Sequence, residues 1–269
     1  MRPISICVTN PKGGAGKSTT CFHLSGFFAK AGMRVLLVDA DPQASLSQAF
    51  FGSAEIESLN PSATLAGIFD DELCVPGAEL PIATPYEGIW MIRSNLRLVP
   101  HNLPAPENSG LKQYVIRNLL DEMSDYDIVL IDCPPNLYLT AWSSIIAASH
   151  VLVPVPPEDF SVQTLHVVDT AIQNARVLNP NLALLGYLVT RANSRLLVHQ
   201  FFEQKLRKLY GNDILRTVLS ELSAYKVALA CRQPVSYFKR RSKAGDLTLQ
   251  LGHEILHQLN EKTQKRIVA

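Results

Sequence analysis

The sequence Pro-Lys-Gly-Gly-Ala-Gly-Lys-Ser-Thr-Thr occupies residues 11–20, between an apolar run at residues 4–8 and a helical pattern that begins near residue 22. A glycine-rich turn between a strand and a helix can hold a phosphate chain, because unobstructed backbone N–H groups and the helix dipole both favour an anion. In such a loop the lysine reaches the β- and γ-phosphates and the following hydroxyl binds Mg²⁺. The stretch therefore predicts a P-loop that binds ATP through Lys12, Gly13, Gly14, Ala15, Gly16, Lys17, Ser18 and Thr19.

This loop departs from the usual P-loop pattern G-x-x-x-x-G-K-[ST] at two positions. Pro11 stands where the first glycine is expected, and Lys12 is a lysine that the pattern does not require. Lys-Gly-Gly-x-Gly-Lys-Ser/Thr resembles the deviant Walker A motif of the ParA/MinD family of ATPases. The resemblance implies a homodimer in which Lys12 reaches across the interface to the ATP of the partner subunit. The alternative is that Lys12 is a solvated lysine beside an ordinary P-loop.

Two carboxylates, Asp39 and Asp41, follow the buried run Val-Leu-Leu-Val at residues 35–38. In an open α/β sheet, ligands bind at the carboxyl ends of the strands. We expect Asp39 to lie near Mg²⁺ and orient its waters, and Asp41 to align the water that attacks the γ-phosphate. Asp-Ala-Asp-Pro-Gln at residues 39–43 resembles switch I of the family, whose second aspartate supports hydrolysis.

A third carboxylate, Asp132, ends the apolar run Ile-Val-Leu-Ile at residues 128–131, which is typical of a Walker B strand. It is predicted to hold Mg²⁺ through a water. The continuation Asp-Cys-Pro-Pro resembles switch II of the family. The predicted catalytic residues are Lys12, Lys17 and Asp41, and the predicted metal residues are Ser18, Asp39 and Asp132. Because no general base is evident, we expect slow turnover.

Composition places the chain among globular proteins. Its 269 residues are 47% hydrophobic and 18% charged, with a net charge of +1, which excludes a disordered chain and a uniformly basic protein that coats nucleic acid. Five scattered cysteines indicate neither a disulfide framework nor a zinc site, and we expect them to be buried. Without a signal-peptide pattern or an apolar stretch of about 18 residues, we expect a cytoplasmic protein.

Short apolar runs alternate with helical patterns, which predicts an α/β fold of the P-loop NTPase type. The sheet is expected to be mostly parallel and twisted, with helices on both faces and a single domain over residues 1–269. Strands are predicted at 4–9, 34–39, 127–132, 150–155 and 183–189, and helices at 17–31, 111–124, 161–178, 195–210 and 245–262. Residues 52–110 are predicted to form an insertion with a short helix near 64–69 and one or two strands near 89–99.

A basic cluster precedes the last predicted helix. Its cations are Lys239, Arg240, Arg241 and Lys243, and Arg216 lies upstream. The resemblance implies that the ATP-bound dimer binds non-specific DNA through basic residues of this half, and that a cargo adaptor protein stimulates hydrolysis. The alternative for the cluster is a solvated basic turn. The cargo can be a plasmid, a chromosome region or a carboxysome-like body.

Two other functions compete with partitioning. Some relatives attach to membranes through a C-terminal amphipathic helix, but in residues 260–269 only Ile267 and Val268 could insert, so a membrane is the less favoured partner. A ligase similar to dethiobiotin synthetase would share the fold and the loop. It is disfavoured because Asp-Pro-Gln and Asp-x-Pro-Pro are typical of the positioning ATPases.

Overall fold

The computed structural model describes residues 2–70, 80–158, 161–238 and 241–268, without the side chains of 161–162 and 261–268. A seven-stranded sheet runs through the molecule. Its strands are β1 Ile4–Val8, β2 Val35–Asp39, β3 Ile82–Ala83, β4 Ile89–Ile92, β5 Ile128–Asp132, β6 His150–Val155 and β7 Ala183–Val189. Their order is β3-β4-β2-β5-β1-β6-β7, and only the pairing of β3 with β4 is antiparallel.

Helices connect the strands. They are α1 Lys17–Lys30, α2 Ser45–Phe51, α3 Ser53–Ser58, α4 Leu65–Phe69, α5 Val115–Glu122, α6 Leu139–Ala147, α7 Ser161–Leu178, α8 Leu197–Tyr210, α9 Ser223–Ala230, α10 Val235–Phe238 and α11 Lys243–Val268. Short 3-10 helices occupy Pro61–Ala63, Leu96–His101, Pro106–Tyr114 and Gly211–Asp213. Within the described ranges, none of these helices combines the length and apolar character needed to cross a membrane.

The central strands are apolar on both faces because each face is covered by its own core. Leu36 and Val38 point into a core that also contains Ile145 and Ile146 of α6. Leu37, between them on the strand, points into the opposite core with Phe22 and Phe28 of α1 and Ile255 of α11. Since successive side chains of a strand alternate between faces, a sheet covered twice requires an unbroken apolar run.

Helices α1 and α11 pack at unusually close range. A Cβ atom on Gly252 of α11 would lie 2.2 Å from the ring of Phe27, so only glycine permits this approach. Phe27 is 5% exposed, and Leu251 and Ile255 flank the contact on α11. This packing fixes α1, and therefore the loop before it, against the C-terminal helix.

The outer edge of β7 is covered by the segment 214–221. Leu215 and Leu219 donate backbone hydrogen bonds to Tyr187 and Val189 of β7, at 2.9 Å each. Ala192 then donates to Leu219 at 3.1 Å, and Glu221 donates back to Ala192 at 2.9 Å. The segment thus adds an irregular partner to the last strand of the sheet.

The predicted fold class is confirmed, and the predicted strands lie within one residue of β1, β2, β5, β6 and β7. The helix predicted at 111–124 was wrong in its first part. A 3-10 segment that is kinked at Gly110, where φ is +55°, runs to Tyr114, and the α-helix begins at Val115. In the insertion α4 confirms the predicted helix. Only β4 forms near 89–99, since a 3-10 helix follows from Leu96. That the chain is one domain stays a prediction.

The cysteine prediction was right at three positions. Cys7, Cys21 and Cys133 are buried, whereas Cys231 is exposed after the end of α9, and Cys74 lies outside the described residues.

Candidate nucleotide site

The predicted P-loop joins β1 to α1 at the carboxyl edge of the sheet. Gly14 and Gly16 have φ of +71° and +91°, a left-handed backbone that glycine adopts without strain. Helix α1 begins directly after Gly16, and no side chain caps its first N–H groups. These free donors and the positive end of the helix dipole form a site for an anion.

Lys17 projects into this loop. The residue is 6% exposed, and its Nζ donates to the carbonyl oxygens of Asn10 at 2.9 Å and Lys12 at 3.2 Å. Burial lowers the pKa of Lys17, and the neighbouring carboxylates Asp132 and Asp41 oppose that change. A buried ammonium on backbone carbonyls is a cation ready to bind a phosphate oxygen.

Lys12 lies at the edge of the loop. Its backbone N–H donates to Oδ1 of Asn10 at 2.8 Å, and its ammonium forms an ion pair with Glu158 after β6. Asn10 in turn donates from Nδ2 to the carbonyl of Pro154 at 2.7 Å. The two lysines therefore have different positions, because Lys17 is inside the loop and Lys12 is held beside it.

Asp39 and Asp132 lie directly opposite each other on the neighbouring strands β2 and β5. Asp39 accepts hydrogen bonds from Asp41 N at 3.2 Å, Ser47 N at 2.8 Å and Ser47 Oγ at 2.7 Å. Burial raises the pKa of Asp39 to about 7, and the hydrogen bonds from Ser47 oppose the rise. Both oxygens of Asp39 are thus engaged in holding Asp41 and the start of α2.

The surroundings of Asp132 differ from those of Asp39 in their hydrogen bonds. It is fully buried, and within the described residues neither of its oxygens makes a well-formed hydrogen bond. Burial raises the pKa of Asp132 well above its usual value, nearby Asp39 adds to the rise, and the Ser18 hydroxyl opposes it. A buried carboxylate without hydrogen bonds costs free energy unless a cation or an ordered water compensates it.

Asp41 lies two residues beyond the end of β2. It is 7% exposed and accepts a hydrogen bond from Gln43 N at 2.9 Å. Burial raises the pKa of Asp41, while the Gln43 hydrogen bond and the charge of Lys17 lower it. Its carboxylate faces the same cavity as the P-loop.

Ser18 and Asp132 together fit Mg²⁺. Among the described residues no group of three or more His, Cys, Asp or Glu side chains forms a cage for a metal. Mg²⁺ does not need such a cage, because it keeps several waters and binds one or two protein groups together with substrate phosphates. An unpaired buried carboxylate beside a hydroxyl is a donor set of that kind.

A cavity of about 420 Å³ extends from the P-loop into the second half of the chain. Thr190 Oγ1 donates to Ala15 O at 2.8 Å and Arg191 donates to Gly14 O at 2.9 Å, which ties the end of β7 to the loop. Beyond them the wall is formed by residues of the 219–229 segment and α11, among them Leu219, Leu222, Tyr225, Leu229, Thr248 and Leu251.

Several residues of this site were not predicted individually. Asn10, Ser47 and Thr190 act through contacts with distant segments. The signal that could have found Asn10 is its position between a buried strand and the loop, where a side chain with one donor and one acceptor can bridge two backbones.

The predicted DNA-binding residues are not all brought together. Lys239 and Arg240 lie outside the described residues, and Arg241 and Lys243 are exposed at the start of α11. Arg216 donates from its backbone N to Glu254, 11 residues along α11 from Lys243 and therefore about 16 Å away along the helix axis. Lys30 is a further exposed cation, and its Nζ lies 4.1 Å from the ring centroid of Tyr237 in α10.

A protein-family model described as an AAA domain matches residues 4–184. The chain is also similar to the chromosome partitioning protein ParA of Myxococcus xanthus, with 28% identity over 271 residues that cover 98% of this chain and 92% of the relative. The chromosome-partitioning ATPase Soj of Thermus thermophilus is 31% identical over 239 residues, which cover 86% of this chain and 89% of the relative.

Solved structures share the fold over nearly the whole chain. A variant of Cyanothece McdA in complex with ATP superposes with a TM-score of 0.82 at 22% identity, covering 95% of this chain and 97% of that one. Cobyrinic acid a,c-diamide synthase from Mycobacterium smegmatis, with a bound ATP analogue and magnesium, has a TM-score of 0.79 at 22% identity and covers 96% of both chains. These two proteins have different names but share one architecture. Their similarity to this chain therefore establishes its fold and not its function.

Proposed function

The chain belongs to the ParA family of partitioning ATPases, and from this membership we propose that it is an ATP-dependent positioning protein. In this proposal ATP closes a homodimer, the dimer binds non-specific DNA, and an adaptor protein on the cargo stimulates hydrolysis and release. The observation that carries it is the separation of the two lysines, with Lys17 inside its own phosphate loop and Lys12 beside it.

The phosphate chain of ATP is assigned to the loop Gly13–Thr19. The uncapped N–H groups of α1 and the Lys17 ammonium would bind its oxygens. Ser18 would bind Mg²⁺ directly and Asp132 would bind it through a water, which gives the unpaired carboxylate its partner. The metal, when bound, neutralises charge on the phosphates. The adenine base of ATP would lie against the cavity wall formed by Leu219, Leu222 and Tyr225.

Hydrolysis is assigned to positioning rather than to covalent chemistry. Asp41, on the cavity wall, would orient a water towards the γ-phosphate, and Asp39 would hold Asp41 in place through the backbone bond at 3.2 Å. Lys12 of a second copy would add positive charge where the transition state develops negative charge. Until that second copy binds, the site contains Asp41 but lacks the charge of Lys12. The proposal therefore predicts slow basal turnover.

The DNA surface is assigned to the start of α11. Exposed Arg241 and Lys243 would provide cations there, and a dimer would present them twice. The action of this protein is then on DNA in the cytoplasm, with the cargo supplied by the adaptor. The same nucleotide chemistry would serve a protein that positions a plasmid, a chromosome region or a carboxysome-like body.

The substitution Lys12→Ala tests the proposal. We expect the variant to bind Mg-ATP with an affinity close to that of the native chain, because Lys17 is intact, and to lose ATP-dependent dimerisation or stimulated hydrolysis. Sedimentation with a non-hydrolysable ATP analogue and binding to non-specific DNA across a salt series measure these effects. Lys112→Ala, which removes an exposed lysine elsewhere on the surface, is the control.

Unchanged dimerisation and hydrolysis in Lys12→Ala would remove the role of Lys12 in a second subunit. Co-sedimentation of the native chain with liposomes, together with no ATP-dependent DNA binding, would replace DNA by a membrane as the partner.

A further inference from the structure

The ion pair between Lys12 and Glu158 lies within one chain and joins the P-loop to the loop after β6. The side chains of the two residues are 28% and 49% exposed. The pair therefore lies at the surface of the site, where a second molecule can reach it. A lysine engaged by a carboxylate of its own chain is not yet engaged by a partner.

The backbones on both sides of this pair are fixed independently of it. Asn10 holds Lys12 through its backbone N–H at 2.8 Å and holds Pro154 through the carbonyl at 2.7 Å. The backbone N–H of Glu158 donates to Pro156 O at 2.9 Å, which forms a tight turn over residues 156–158. The ion pair can thus be broken by rotation of its side chains while Asn10 still holds Lys12 and Pro154.

The strength of the pair suits a reversible contact. Ion pairs that are partly open to water change an equilibrium by about 1.4- to 5-fold, because water screens the charges and the side chains lose freedom. A triphosphate carries several negative charges and attracts a lysine ammonium more strongly than one half-exposed carboxylate does. The ammonium can therefore be held in the single chain and still be given up to a partner.

We propose that Glu158 is a positioning residue for Lys12, which it holds in the single chain and releases when a second ATP-bound copy docks. The proposal rests on the function proposed above, in which Lys12 acts on the nucleotide of the partner. Since each subunit must break its own pair before its lysine reaches across, Glu158 raises the concentration at which the ATP-bound dimer forms. It thereby sets a threshold for assembly.

The test is Glu158→Gln in the full chain, which removes the charge and keeps the shape. With Mg²⁺ and a non-hydrolysable ATP analogue, we expect sedimentation equilibrium to give a dimer dissociation constant about 2- to 25-fold below that of the native chain, because each dimer breaks two such pairs and each contributes a factor of about 1.4 to 5. Glu158→Asp, which restores the carboxylate on a shorter side chain, should return the constant towards the native value. Circular dichroism and the affinity for ADP should remain native, since neither depends on the pair.

Glu55→Gln is a matched control. Glu55 of α3 forms an ion pair with Arg93, which follows β4, and its side chain is 50% exposed, against 49% for Glu158. The control changes the net charge by the same amount, so it should dimerise as the native chain does. Equal gains in both variants would assign the effect to net charge and overturn the proposal.

The double variant Lys12→Ala/Glu158→Gln separates this proposal from the proposed function. If Glu158 acts through Lys12, removing Glu158 from Lys12→Ala changes nothing. A gain in that background, or dimerisation of Glu158→Gln no tighter than native, would overturn the role of Glu158 and leave the function standing. Native dimerisation together with native stimulated hydrolysis in Lys12→Ala would overturn both, because the lysine would then have no role in the partner.

Discussion

Asp39 and Asp132 lie on neighbouring strands but differ in their hydrogen bonds, and this difference indicates different roles. Asp39 is engaged by Ser47 and by the backbone of Asp41, whereas Asp132 has no well-formed partner within the described residues. Both were predicted to lie near the metal. The hydrogen bonds favour Asp132 for that task and favour Asp39 as the residue that fixes Asp41. Identical side chains at the same edge of a sheet can thus be distinguished only by their partners.

Removing the Asp41 carboxylate should stop hydrolysis and preserve binding. In Asp41→Ala we expect the Mg-ATP affinity to stay near native, because the loop and Lys17 are unchanged, and turnover to fall by about 100-fold or more, as is usual when a positioned group that aligns the nucleophile is lost. Single-turnover hydrolysis and retention of the variant on DNA measure this. Normal turnover would show that another residue aligns the water.

His23 should make the stability of the fold depend on pH. It is 4% exposed, Nδ1 accepts a hydrogen bond from Val235 N at 3.1 Å, and burial lowers the pKa of His23 to about 3. The unfolded chain binds a proton near pH 6.5 and the folded chain does not, so stability falls as the pH is lowered from about 6.5 towards 3.

This histidine contributes a slope of about 1.4 kcal/mol per pH unit well below pH 6.5, the value for one proton. His23→Asn keeps an acceptor for Val235 N and cannot titrate, so its free energy of unfolding should change less steeply with pH. Urea unfolding between about pH 5.0 and 7.5 compares the two chains. Parallel curves would show that the imidazole is protonated inside the fold.

At the scale of elements, the contact between α1 and α11 leaves no space for a side chain at position 252. In Gly252→Val the added side chain meets the ring of Phe27, where even a Cβ would lie at 2.2 Å. We expect a decrease of about 2–3 kcal/mol in the free energy of unfolding, because overpacking forces side chains or helices apart. Urea unfolding measures it, and Gln250→Val at an exposed position of the same helix should cost much less.

A second part of this experiment tests whether residue 252 and the Phe27 ring are energetically coupled. Adding Phe27→Ala to Gly252→Val makes space at the contact, so the destabilisation of the double variant should be smaller than the sum of the two single effects. Strictly additive effects would place the strain elsewhere.

Strands and the phosphate loop could be predicted because their information is contiguous. An unbroken run such as Val35–Val38 reports burial on both faces, and residues 11–20 contain the whole loop. The start of α5 could not be predicted, since the apolar pattern from 111 onwards does not report the backbone of Gly110. The remaining misses concern contacts between distant segments.

The distant contacts include the most informative part of the site. The pair Lys12–Glu158 and the bond from Thr190 to Ala15 join residues 146 and 175 positions apart. No local pattern specifies such a contact, because it depends on the strand order, which places β6 beside β1 and β7 beside β6. The residues that form the second half of the cavity could for this reason not be predicted from local sequence.

At the scale of the molecule, a net charge of +1 makes the placement of cations decisive for DNA. In Arg241→Ala/Lys243→Ala we expect weaker binding of the ATP-bound dimer to non-specific DNA. The slope of log affinity against log salt should become less steep by about 2 to 4, because each phosphate that is no longer neutralised accounts for about 0.9 and the dimer carries the pair of cations twice. Filter binding or fluorescence anisotropy across a salt series measures both effects.

Arg97→Ala/Lys112→Ala removes two exposed cations from the 3-10 helices after β4 and is the matched control. An identical weakening in the two double variants would mean that binding follows net charge and not the start of α11.

The segment that covers the outer edge of β7 is also a wall of the cavity. Leu219 bonds to Val189 through its backbone and lines the space assigned to the base. An uncovered strand edge is a template on which another chain can add a strand. Because Leu219 belongs to both, we expect ATP bound in the cavity to hold this cover in place and to lower aggregation through the sheet edge.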